Sequence, residues 1–167
     1  MSLSEQYLHS DDIHPIDIVE NLAEHNSWDF DRVSDEQIAM AIEGVWRTYS
    51  LSLAWSNFDE TLRSICTFEM DPPEEIMDQL YQALDEANDK CWTGAFTFWR
   101  EQKLMVFRYG LNLAGGAHAT PQQIDAMVQT AVAACERFYP AFQLVAWGGR
   151  SPAEAMQIAL TEAYGRA

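Results

Sequence analysis

The hydrophobic positions of the chain change their spacing several times, and each spacing predicts a different element. Between residues 120 and 147, apolar side chains recur at three- and four-residue steps, which is typical of a helix with one buried side. These residues are Ile124, Met127, Val128, Ala131, Val132, Cys135, Phe138, Tyr139 and Phe142. Thr120, Pro121 and Gln123 fit a capped helix start, and Gly148-Gly149 predicts its end. We expect the other elements to cover this stripe.

The first half of the chain contains three segments with a period of two, which indicates strands with one wet and one dry face. They are residues 38–42, 45–55 and 62–70. Because only short turns separate them, they are expected to form an antiparallel meander. Residues 95–99 and 104–113 predict two more strands.

Three further helices are predicted from start signals and apolar spacing. The first begins at Pro15 and ends near Asn26, with Trp28 and Phe30 interpreted as anchors after it. The second runs from a cap at Asp71 to about Trp92. A terminal helix occupies residues 151–165 and starts with a capping box at residues 151–154.

The predicted fold class is therefore α+β, with a five-stranded antiparallel sheet and helices on one face. The order is helix, three strands, helix, two strands, helix, with one C-terminal helix appended. We interpret residues 1–13 as a flexible N-terminal tail and residues 14–167 as a single domain.

Composition and charge limit the function classes. The chain has 26 acidic and 10 basic side chains among 167 residues, and residues 1–43 alone hold 11 acids and one arginine. Such a field repels phosphate groups, so neither nucleic acid nor a membrane surface is an expected partner. The apolar fraction of 48% and the absence of a signal-like N-terminus predict a soluble, cytoplasmic protein.

The sequence offers no pattern that predicts catalysis, a metal or a cofactor. Its four histidines lack metal-ligand spacing, and Cys66, Cys91 and Cys135 are each set in an apolar pattern. The paired carboxylates are explained by helix starts, exposed flanks and the tail. Gly115-Gly116 lacks the Lys-Ser/Thr of a phosphate loop, and a strand-to-helix turn accounts for it.

Two tryptophans are the candidate binding residues. Trp46 and Trp99 alternate with apolar neighbours that are expected to face the helices, so both are predicted on the outer face of the sheet. In one interpretation, these tryptophans are covered by a loop, by the terminal helix or by a second subunit. Alternatively, exposed tryptophans beside an open sheet edge form a partner-binding surface.

Two stretches carry a family resemblance. One is Pro-Ile-Asp-Ile-Val-Glu at residues 15–20 followed by Trp28, and the other is Cys-Glu-Arg-Phe-Tyr-Pro-Ala-Phe at residues 135–142 followed by Trp-Gly-Gly at 147–149. Over roughly residues 14–165 the chain resembles the YbjN family of small bacterial proteins. The resemblance implies a fold like that of type III secretion chaperones, which are acidic, cytoplasmic, usually dimeric proteins that hold an extended client segment. It also implies a role in sensory transduction, and it supplies no catalytic residue.

These observations predict a non-enzymatic, chaperone-like or regulatory module that holds a partner polypeptide, without a cofactor and as a homodimer. The alternative is a small-ligand sensor that signals through its dimer. The terminal helix 151–165 is absent from the minimal chaperone pattern, so it is a candidate cover for a client surface or for the dimer face.

Overall fold

The predicted antiparallel sheet is present, but it has six strands rather than five. A computed structural model describes residues 13–165, with side chains described as far as Thr161. The predicted tail 1–13 therefore lies, apart from Ile13, outside the described residues. The strands are β1 Asp29–Ser34, β2 Gln37–Glu43, β3 Thr48–Ser56, β4 Thr61–Glu69, β5 Ala95–Trp99 and β6 Leu104–Asn112.

Helices precede, interrupt and follow this sheet. They are α1 Pro15–His25, α2 Met77–Asp89, α3 Pro121–Ala146 and α4 Pro152–Gly165, and a single 3-10 turn at Glu74–Ile76 leads into α2. The strand order across the sheet is β1-β2-β3-β4-β6-β5, and every neighbouring pair is antiparallel.

The additional strand is β1, where the sequence pattern had suggested only apolar anchors. Phe30 and Arg32 alternate with Asp29 and Asp31, and aspartate is depleted in strands, so the pattern does not look like a strand. In the folded chain, ion pairs hold this segment in the sheet. The Arg32 guanidinium lies on the helix side of the sheet, where it pairs with Asp17 at 3.0 Å and with Glu20 at 3.3 Å, both on α1.

Within residues 13–165, the core cluster lies on one side of the sheet. Alternate strand residues such as Leu51, Cys66 and Phe107 are buried against the helices, and Ile124, Phe138 and Phe142 of α3 belong to the same cluster. Helix α4 packs on α3 and α2, through the buried side chains Ala155, Met156 and Ala159. It therefore adds to the helix layer and does not cover the opposite face of the sheet.

Two of the three predicted caps are confirmed. The Thr120 hydroxyl accepts a bond from the Gln123 N–H at 3.0 Å, the Gln123 side chain accepts one from the Thr120 N–H at 2.9 Å, and Ser151 caps α4. The predicted cap at Asp71 is wrong. Because Pro73 keeps an extended ψ of 146°, the chain cannot become helical until after it, and Asp71 pairs instead with Lys103 at 3.3 Å.

The turn between β2 and β3 is held by a glutamate from α3. The Glu136 carboxylate accepts hydrogen bonds from the Tyr49 hydroxyl at 2.6 Å and from the backbone N–H groups of Val45 at 3.1 Å and Trp46 at 3.3 Å. A side chain at Gly44 would overlap this carboxylate. The strand predicted to begin at Val45 therefore begins at Thr48, because its first residues turn towards the helix.

Burial, reinforced by the hydrogen bond to Glu136, raises the pKa of the Tyr49 hydroxyl above its ordinary value. Tyr49 has no exposed surface in the folded chain, so its hydroxyl relies on the Glu136 carboxylate as its acceptor.

Replacing Glu136 is expected to destabilise the protein. Glu136→Ala leaves the buried Tyr49 hydroxyl without an acceptor and should lower the free energy of unfolding by about 2–3 kcal/mol. Urea denaturation measures this change. Glu101→Ala, at an exposed glutamate in the β5–β6 turn, is the control and should stay within about 0.5 kcal/mol of wild type. Equal losses in the two variants would contradict the bridging role of Glu136.

The tyrosine also predicts a dependence of stability on pH. Its folded-state pKa is raised, so its contribution is complete below the unfolded pKa of about 10 and is lost as the pH rises above that value. Between pH 10 and pH 11 the wild type should lose about 1 kcal/mol more than Tyr49→Phe, which shares every other titrating group. Parallel stability curves for the two proteins would refute this assignment.

Candidate docking surface

The face of the sheet opposite the helices consists mainly of small and polar side chains. Register places them in rows that cross all six strands. One row is Asp29, Ala41, Ser50, Thr67, Val106 and Thr97, and the next is Asp31, Ala39, Ser52, Ile65, Arg108 and Ala95. Among residues 13–165, no helix packs over these rows, and we call this surface the outer face.

Within the outer face, differences in side-chain size create a groove. Its floor consists of Ala39 and Ala41 on β2 with Ser50 and Ser52 on β3, and it encloses about 380 Å³. The walls are Asp29 and Asp31 on β1 and Ile65 and Thr67 on β4. Three strand spacings separate β1 from β4, which makes the groove about 14 Å wide. An α-helix with its side chains is about 10–12 Å across, so it fits this width.

The β1 wall carries unneutralised negative charge. Both Asp29 and Asp31 are exposed, and neither forms an ion pair with another residue of the described chain. Near them the chain is acidic, since residues 1–43 contain 11 acids against one arginine. A cationic partner would gain from this wall, and an anionic one would be repelled.

The structure separates the two tryptophans predicted on the outer face. Trp99 is in register with Leu104, which in turn is in register with Glu69, so it does lie on that face at the β5 end. Trp46 does not lie on a strand. It is in the β2–β3 turn, tied through its backbone to Glu136, with 40% of its surface exposed. Whether either residue binds a partner stays a prediction.

The edges of the sheet are poorly suited to adding a strand. A register shift interrupts β1 between Arg32 and Ser34, and its aspartates add charge along the edge. On β5, the side chain of Asn88 accepts a bond from the Phe96 N–H at 2.6 Å and donates one to the Phe96 carbonyl at 3.1 Å. Access to a partner is therefore better across the outer face than along either edge.

The candidate chemical groups are dispersed in the structure. The His14 Nδ1 accepts a bond from the Ile16 N–H at 3.1 Å and so caps α1. Within residues 13–165, no three histidine, cysteine or acidic side chains come together as a metal site. No helix in the described part of the chain has both the length and the hydrophobicity to span a bilayer.

Two of the three cysteines are buried in the core. A hydrogen bond with Cys66, together with burial, raises the pKa of the Cys135 thiol, so Cys135 is not suited to act as a thiolate nucleophile. Cys91 follows α2 and is only half-buried. Burial raises the pKa of its thiol as well, although the positive charge of Arg137 opposes this shift.

The groove was not anticipated from the sequence, although a signal for it is present. Strand residues that face solvent usually include long polar side chains, whereas the outer positions of β2 and β3 include Ala39, Ala41, Ser50 and Ser52. Short side chains on two adjacent strands leave a depression. The groove depends on the register of the strands, which aligns the short side chains of β2 and β3 and places the aspartates of β1 beside them.

These features define the class of the protein, an α+β domain whose antiparallel sheet is covered by helices on one face and, as far as residues 13–165 extend, by no helix on the other. The sequence model of the YbjN family, described as "Putative bacterial sensory transduction regulator", matches residues 15–144. The match spans more than half of the chain, and the protein therefore belongs to the YbjN family. That description is of a regulator and not of an enzyme.

A solved structure supports the same fold. The crystal structure of YbjN from E. coli, described as "a putative transcription regulator", aligns with a TM-score of 0.54 at 11% sequence identity. The alignment covers 72% of this chain and 85% of the E. coli chain. No curated protein sequence matches the chain.

The reactivity of the three cysteines tests whether the core is closed to solvent. Iodoacetamide should alkylate one thiol, Cys91, in the native protein, because Cys66 and Cys135 have no exposed surface. Mass spectrometry of peptides after short exposure identifies the modified residue. In Cys91→Ser, labelling should require denaturant, and rapid native labelling of Cys66 or Cys135 would show that the core is open.

Proposed function

We propose that this protein is a non-enzymatic regulatory module that holds a partner polypeptide in the groove of its outer face. The observation that carries the proposal is the open groove with a floor of alanine and serine and an acidic wall at Asp29 and Asp31. The family description as a regulator is consistent with it. The proposed action is chaperone-like in the sense that it shields a segment of another chain.

The partner segment is an amphipathic helix with a basic flank. Small floor residues allow a helix backbone to approach the sheet closely, and Ile65 offers apolar contact on the far wall. Lysine or arginine on one flank would pair with Asp29 and Asp31. An extended segment that adds a strand to an edge fits the structure less well. A register shift interrupts β1, and the Asn88 side chain already bonds to the backbone of Phe96 on β5.

The two tryptophans extend the proposed contact surface. Trp99 lies on the outer face two strands beyond the β4 wall, where it would supply an aromatic anchor for a segment that continues across β6. Trp46 lies in the β2–β3 turn, which bends towards α3, so it would contact only a segment that runs past the end of the groove and over this turn. A homodimer agrees with this proposal only if its interface leaves the groove open.

Site-specific photo-crosslinking in cells tests the groove. A photoreactive residue at Ala41 or Ser50 should form an adduct with a separate polypeptide that contains a basic helical segment, whereas one at Gln82, exposed on α2, should not. Adducts only with a second copy of this chain would make the groove a self-association surface and overturn the proposal. Groove adducts no stronger than those at Gln82 would overturn it as well.

A matched charge reversal tests the acidic wall. In Asp31→Lys, the adduct yield at Ser50 should fall at least about tenfold, because an attractive charge pair becomes repulsive. Asp85→Lys makes the same change at an exposed aspartate on α2 and should leave the yield unchanged. Equal effects would show that only net charge matters. An unchanged adduct in Trp46→Ala and Trp99→Ala would remove the tryptophans from the surface.

A further inference from the structure

A second cavity lies on the helix side of the sheet, away from the groove. It encloses about 260 Å³ between the α2–β5 loop and α3, and we call it the loop pocket. Its lining residues are Lys90, Cys91, Trp92, Thr93, Phe107, Thr130, Ala133, Ala134, Arg137 and Phe138.

The charge of the loop pocket is opposite to that of the chain as a whole. The protein has a formal charge of −16, yet the pocket is lined by one lysine and one arginine and by no carboxylate. Five of the nine described arginines and lysines form ion pairs, namely Arg32, Arg63, Arg100, Lys103 and Arg150. Within residues 13–165, neither Lys90 nor Arg137 has an acidic partner. In so acidic a chain, two unneutralised cations at one cavity indicate an anionic ligand.

The contacts of the two cations leave their charge available. The Lys90 ammonium donates to the Glu86 backbone carbonyl at 3.4 Å, which does not neutralise it. The Arg137 guanidinium carbon lies 5.0 Å from the centre of the Phe138 ring, so the group is positioned by an aromatic face. A planar guanidinium can donate two parallel hydrogen bonds to a carboxylate.

The apolar part of the pocket suits a flat ring. Phe107 and Phe138 are buried aromatic side chains in its lining. Trp92 lines the pocket with 99% of its surface exposed, which is unusual for so large an apolar residue. Both phenylalanines are only 1% exposed and pack on Phe96, so they close the floor of the pocket. A ring bound above this floor would give the indole a surface to pack against.

The loop that forms one wall is held in place by two specific contacts. Asn88 binds both backbone groups of Phe96, and Gly94 adopts a φ of +94°. A Cβ at Gly94 would collide with the Phe107 ring, so glycine allows the loop to lie close to the sheet at this point. The cavity is thus bounded by fixed backbone on the loop side and by α3 on the other.

We propose that the loop pocket binds a small aromatic carboxylate, with the acid group on Arg137 and Lys90 and the ring between Trp92 and the pocket floor. Thr93 and Thr130 provide hydroxyl groups at the same cavity. The loop pocket is separate from the groove. In a regulatory protein, a small molecule bound there would be the controlling ligand.

Protection of Cys91 from alkylation reports occupancy directly, because this thiol lines the pocket. Phenylacetate at millimolar concentration should slow alkylation by iodoacetamide several-fold, whereas uncharged phenylacetamide, of nearly the same shape, should not. Equal protection by both compounds would overturn the proposal. Protection by inorganic phosphate but not by phenylacetate would overturn the assignment to an aromatic carboxylate, and so would the absence of any protection.

Single-residue variants distinguish binding at the loop pocket from an effect of net charge. The phenylacetate concentration needed for half protection should rise at least about tenfold in Arg137→Gln and measurably in Lys90→Gln. Lys90 is exposed, so its replacement tests the site even if Arg137→Gln disturbs folding. Arg63→Gln removes one positive charge from the outer face and should behave as wild type. The proposal is wrong if Lys90→Gln and Arg63→Gln respond alike.

Discussion

The burial of a single face of the sheet is the constraint on which the rest of the structure depends. Helix α3 places its apolar side, from Ile124 to Phe142, against alternate residues of the strands, and α1, α2 and α4 complete that layer. Because a strand alternates between its two faces, each buried residue is followed by one that faces away. The outer face is thus a consequence of the core, and its shape depends on the size of the intervening side chains.

The outer face and the helix side of the sheet also differ in charge. Exposed aspartates at the β1 side of the outer face leave that surface negative, whereas the cavity beside α3 is lined by the cations Lys90 and Arg137. The two surfaces lie on opposite sides of the sheet and carry charge of opposite sign.

Much of the fold follows from local sequence rules, since apolar spacing and capping residues are local properties. Five strands, the α3 capping box and the one-sided helix layer could be predicted in this way. The sixth strand could not, because the aspartates of β1 disfavour a strand and Arg32 finds its partners on α1, which only the folded chain brings near. The position of Trp46 depends likewise on Glu136, 90 residues away in sequence. Both candidate sites need the register or the loop position, which no local pattern specifies.

The bridge from α3 to the β2–β3 turn has a consequence for how this chain can change over evolutionary time. Gly44 is without a side chain where the Glu136 carboxylate passes, and Tyr49 donates its hydroxyl to the same oxygen. A side chain at position 44 would displace the carboxylate and the tyrosine ring together. Substitutions at positions 44, 49 and 136, far apart in sequence, are therefore coupled through one shared space rather than independent.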